Sequence, residues 1–165
     1  MRRRLAIGLL LSGHLHLLAG CLSYDGRGLP VSVELGIPDE ETGLGFVPLM
    51  EGDEIPLETF GQGGTHATVA VRCKGFGDRA FVQVFVENLE TGAVVMTIPY
   101  SSPPLLLCRE ELGGETCDLL PVHVLTGGLA APEEKDGLAV RVTAVVENEE
   151  GWVSQGSVEG VLRMQ

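Results

Sequence analysis

Outside the first twenty residues the chain has two histidines, His66 and His123, and three cysteines beyond Cys21, namely Cys73, Cys108 and Cys117. These are the side chains best suited to chemistry. Imidazole nitrogens bind zinc, copper or nickel and act as general bases near neutral pH. Neither histidine has a partner at H-x-H, H-x₃-H or C-x₂-C spacing, so a metal site requires His66 and His123 to meet across the fold, with acidic side chains completing the ligand set. The competing reading is structural. His66 closes the segment Phe60-Gly-Gln-Gly-Gly-Thr-His66, where the glycines permit positive φ and close backbone approach, and a histidine at a strand start caps such a turn. Cradling phosphate would need a helix N-terminus after the glycines, and a strand pattern follows instead.

The cysteines pose a second question. Cys108 and Cys117 flank Arg109-Glu-Glu-Leu-Gly-Gly-Glu-Thr116, a polar loop with adjacent glycines that can bring its ends together, so they are the expected disulfide, with a bond to Cys73 as the alternative. Cys73 alternates with Ala67, Val69 and Val71 and reads as a buried, unreactive hydrophobe. Acidic groups at 39–41, 51–54, 133–136 and 147–150 lack the spacing of a calcium loop, and read as solvated hairpin tips that discourage strand-edge aggregation. Ser101-Ser102 precedes two prolines with no nucleophile elbow. No set of residues assembles a reaction centre, and the expectation is a protein that is not an enzyme.

The elements that carry these residues are strands. His66–Cys73 and Leu138–Glu147 alternate at period two, and Ala80–Glu87 sets Val82, Val84 and Val86 against Phe81, Gln83, Phe85 and Glu87. Further strand patterns cover 30–35, 46–50, 93–98, 105–108, 119–125, 152–159 and 161–163, separated by turns rich in Gly, Pro, Asn and Asp. The segment 51–58 reads as a turn followed by an irregular edge, because Pro56 has no N–H for a central ladder. Short strands at regular spacing without a long 3.6-residue period predict an all-β fold, an antiparallel β-sandwich of immunoglobulin or fibronectin-III type, with a jelly roll or small barrel as the alternative. Phe81, Phe85 and Trp152 are the candidate contact residues for a protein partner, or else core.

The start of the chain sets its compartment. Arg2, Arg3 and Arg4 precede an apolar run too short to span a bilayer, interrupted by Ser12, His14 and His16, and small residues follow. Leu18-Ala19-Gly20-Cys21 resembles the lipobox of bacterial lipoproteins. That resemblance implies cleavage before Cys21, lipidation of Cys21, and, since Leu22 is not aspartate, delivery to the outer membrane of a Gram-negative cell, facing the periplasm or the surface. Acyl chains contribute about 0.8 kcal/mol per buried CH₂, so several chains make a lasting anchor. The expected organisation is a signal peptide over 1–20, a lipidated cysteine and short tether over 21–29, and one β-sandwich domain over 30–165. No cofactor is expected beyond the lipid on Cys21.

The removed segment holds three of the eleven basic residues and none of the 23 acidic ones, which leaves 145 residues with a net charge of −15. That excess excludes a sequence-independent grip on nucleic acid and a polybasic membrane patch, since both need Lys and Arg. The partners expected are the membrane, through the lipid, and a protein of the cell envelope. The Gly-Gln-Gly-Gly-x-His segment, within 52–74, also resembles uncharacterised lipoproteins of Gram-negative bacteria, a group that supplies no mechanism.

Overall fold

A computed structural model describes residues 23–24, 30–39, 41–43, 45–59, 64–76, 79–99, 107–108, 116–125 and 134–165. The lipobox, the glycine segment at 60–63 and the loop between the two C-terminal cysteines lie outside the described residues. The elements are β1 (Ser23–Tyr24), β2 (Pro30–Pro38), β3 (Phe46–Pro48), β4 (Asp53–Thr59), β5 (Thr65–Lys74), β6 (Ala80–Asn88), β7 (Val94–Pro99), β8 (Leu107–Cys108), β9 (Thr116–Leu125), β10 (Ala139–Asn148) and β11 (Val153–Met164). The all-β expectation holds, in a sheet that does not close on itself.

β5 is the strand on which the others are arranged. β9 pairs along one side of it, from His66 opposite Leu125 to Lys74 opposite Thr116. The other side is shared: β2 pairs with residues 70–74 and β4 with residues 65–67. β6, β10 and β11 form an antiparallel run, and β7 adds to β6. β2 packs on β10 and β11, and β9 on β7, without sharing a ladder with them. The layers therefore face one another across one core. Alternate residues fill it: Val69 and Val71 on β5, Val82, Val84 and Val86 on β6, Val122 and Val124 on β9, and Val140, Val142 and Val146 on β10 are all fully buried. β-Branched side chains suit this pleated, tightly filled interior. Gly156 marks how closely the layers approach, because a Cβ there would collide with the Val33 carbonyl oxygen.

Two features depart from the strand pattern read in the sequence. The segment around Pro56 is a well-formed strand between β5 and β11, with Ile55 and Leu57 fully buried, rather than an irregular edge. The ladder with β5 begins only at Leu57, and the Leu57 carbonyl is turned to the β11 side, where it accepts from the Gln165 N–H at 3.1 Å. By alternation Pro56 has its nitrogen on the β5 side, just beyond the last pair, where no donor is required. The same strand breaks the antiparallel rule, since β4 and β11 run parallel from Asp53 opposite Gly160 to Leu57 opposite Met164.

The second departure is a bulge. Val69 pairs with Val122 and Val71 with Leu119, so Leu120 and Pro121 together oppose Ala70. Because side chains alternate along a strand, one extra residue reverses the facing of everything beyond it. Asp118 and His123, five apart, would otherwise lie on opposite faces. The bulge turns both to the face that carries His66, Thr68 and Arg72.

Candidate functional site

His66 and His123 come together on the non-core face of β4, β5 and β9. The β4–β5 register sets Glu58 opposite His66, and the β5–β9 register sets His123 opposite Thr68. The two imidazoles meet edge to face, with ring centroids 4.6 Å apart and planes at 84°. Glu58 Oε2 lies 3.5 Å from His66 Nε2. Thr68 Oγ1 donates to Glu58 Oε1 at 3.1 Å and lies 3.4 Å from His123 Nδ1. His66 is buried while Glu58 is half exposed, so the cluster runs from the sheet out to solvent.

Burial is the main cause that holds the His66 pKa below the ordinary histidine value, and the neighbouring His123 adds to it; Glu58 pulls the other way. The arrangement thus offers imidazole nitrogen and carboxylate oxygen within one cluster, the donor types of a borderline transition-metal ion. Among the described residues, no group of three or more His, Cys, Asp or Glu is placed to hold a metal ion. Glu58 and Thr68 were missed in the sequence. Treating the glycine segment as a hairpin turn would have found Glu58, since pairing Thr59 with Thr65 sets Glu58 against His66.

Further along the same face, Arg72 Nε and Nη2 donate to the two carboxylate oxygens of Asp118 at 2.7 and 3.0 Å. Asp118 is fully buried, and the Arg72 guanidinium carbon lies 4.1 Å from the centroid of the Phe46 ring. The bidentate carboxylate raises the Arg72 pKa, against burial. This is a structural clamp joining β3, β5 and β9.

The aromatic candidates lie on the other layer. On the outer face of β6, β10 and β11, three rows run across the strands, with Glu147 between Phe81 and Val153, Val145 between Gln83 and Gln155, and Thr143 between Phe85 and Ser157. Phe81, Trp152 and Val153 are exposed, whereas Phe85 is only half-buried. A groove of about 260 Å³ is lined by Phe81, Gln83, Val145 and Glu147. Trp152 is placed by the β10–β11 hairpin. There Asn148 Oδ1 accepts from the Glu150 and Trp152 N–H groups at 3.1 and 2.9 Å, and Gly151 takes the positive φ of 82° that the turn requires. The indole N–H donates to Glu150 Oε2 at 3.2 Å.

The cysteines fall in one row. Cys73 on β5 is opposite Cys117 on β9, which is opposite Cys108 on β8. Cys117 is disulfide-bonded. Cys73 is free and buried, and burial pushes its thiol pKa up to about 12, so it is rarely ionised at neutral pH. Cys21 lies outside the described residues. In comparisons with known proteins, no family model matches this chain and no curated protein matches it.

Proposed function

We propose that this chain is an outer-membrane lipoprotein held by a lipid on Cys21, whose β domain is a non-enzymatic binding, adhesion or scaffold module for a protein of the cell envelope. The lipobox resemblance supports the anchor. The observation that carries the binding role is the outer face of β6, β10 and β11, where Phe81 and Val153 are exposed and Phe81, Gln83, Val145 and Glu147 line a groove, with Trp152 exposed in the hairpin turn at the end of the same layer. A rigid, exposed aromatic side chain supplies large contact area at small entropic cost. The immunoglobulin-like arrangement belongs to the same proposal, as does a role without any cofactor. A photocrosslinking residue at Phe81, in intact cells, is expected to give a discrete protein adduct that disappears with Trp152→Ala, while the same probe at Asp39 gives none. No adduct from Phe81 would remove this face as the contact surface.

The ring contact between His66 and His123 favours a second reading, a metal-binding envelope lipoprotein. Metal analysis of purified protein decides it. Stoichiometric zinc, copper or nickel, lost in both His66→Ala and His123→Ala, supports the metal role, and substoichiometric metal in the parent protein sinks it.

A further inference from the structure

Cys117 lies between two cysteines in adjacent strands, and the two positions are not equivalent. The Leu35 carbonyl is turned away from β5, where it accepts from the Leu49 N–H at 3.1 Å. Since backbone groups alternate, Val33 also faces away from β5, and its partner Cys73 directs its own N–H and C=O towards β9. Cys73 and Cys117 therefore form a hydrogen-bonded pair, with Cα atoms about 5.5 Å apart in such ladders. Cys117 in turn directs its backbone towards β5, so Cys108 and Cys117 are a non-hydrogen-bonded pair, with Cα atoms about 4.5 Å apart in such ladders. Both spacings fall within the range of about 4.4–6.8 Å that a disulfide spans. Cys73 and Cys117 are both buried and both belong to the core.

We propose that Cys117 is a shared sulfur, bonded to Cys108 at rest and open to capture by Cys73 through exchange within the fold. In the exchange, the Cys73 thiolate attacks Cys117 Sγ. The Cys73–Cys117 bond forms as the Cys117–Cys108 bond breaks, and Cys108 leaves as a thiolate and takes up a proton. One disulfide and one thiol are present before and after, so no oxidant or reductant is consumed. The result is a thiol transferred from the buried Cys73 position on β5 to Cys108 on the two-residue strand β8. The high Cys73 pKa keeps the thiolate scarce at neutral pH, which makes the resting bond persistent and exchange slow. Between pH 7 and pH 10 the thiolate fraction of a group titrating near pH 12 grows about tenfold per unit, and the exchange rate should follow it.

The test is peptide mapping by mass spectrometry on the full exported chain, after thiol alkylation in denaturant without reductant. The parent protein is expected to give the Cys108–Cys117 linked peptide with Cys73 alkylated. Cys108→Ser protein is expected to fold and to give the Cys73–Cys117 linked peptide. A folded Cys108→Ser protein with both Cys73 and Cys117 alkylated would overturn the proposal. If that variant does not fold, parent protein that is reduced and reoxidised in a glutathione buffer supplies the same readout. Both linked peptides are then expected, and Cys108–Cys117 alone would overturn it.

Discussion

Removing either half of the Arg72–Asp118 clamp should destabilise the protein, and unequally. Asp118 is fully buried and accepts both guanidinium nitrogens, whereas the Arg72 side chain is 21% exposed. Arg72→Met takes two charge-assisted hydrogen bonds from a carboxylate that water does not reach. Losing one partner of a buried ion pair costs about 3–5 kcal/mol. Asp118→Ala leaves a guanidinium that water reaches in part and that still rests on Phe46, where a cation–π contact contributes about 0.5–2 kcal/mol. Its cost should therefore be smaller, about 2–3 kcal/mol. The double variant Arg72→Met/Asp118→Leu replaces the pair with apolar groups and should cost clearly less than the two single changes together, since such replacements are often near neutral. Urea denaturation with linear extrapolation measures all three. Single changes costing under about 1 kcal/mol each, or effects that simply add, would refute this account of the clamp.

The histidine cluster predicts an acid-side loss of stability. The folded state holds His66 below its ordinary pKa, so the unfolded chain takes up the proton first as the pH falls. Stability should be flat above about pH 6.5 and decline below it, with a slope of at most about 1.4 kcal/mol per pH unit from this residue. His66→Phe should flatten that decline, and an unchanged profile in urea melts at pH 5, 6 and 7 would contradict it. Gly156→Ala, which forces a methyl group onto the Val33 carbonyl, should cost about 1–3 kcal/mol or more; a neutral result would mean that the layers sit further apart. Cys21→Ser should abolish fatty-acid labelling and release the protein to the soluble fraction, whereas persistent labelling would contradict lipidation at Cys21. Thiol titration of the denatured, unreduced, processed protein should find a single thiol, Cys73, and three would contradict the disulfide at Cys117.

Much of the fold was legible because alternation is a local property. The valines of β5, β6 and β10 face the core as their period-two pattern requires, and the hairpin at Asn88-Leu-Glu-Thr-Gly92 follows from an Asn side chain that accepts from two turn N–H groups and a glycine at positive φ. The sequence pattern sets Pro56 against a regular strand, because the rule about its missing N–H says nothing of which side of the strand needs a donor. The ladder partners settle that, and one of them, β11, lies about a hundred residues away. Likewise, the aromatic face of β6 was visible as Phe81 and Phe85, but only the pairing with β10 and β11 set Glu147 and Val153 in one row with Phe81, and the structure leaves Phe85 half-buried.

By itself the sequence determined the strand class, the core-facing residues of each clear strand, the burial of Cys73, and the short list of histidines and cysteines with chemistry to offer. These follow from residue type and from a period set by the pleat. Only the tertiary structure decided which of them meet. His123 and Asp118 share a face with His66 because two residues of β9, one of them Pro121, bulge against Ala70, and Glu58 joins them because β4 folds back on β5. The row of three cysteines exists because β5, β9 and β8 are adjacent in register. Register is a relation between strands distant in sequence, set by the joint packing of both layers, and no local pattern within one strand contains it.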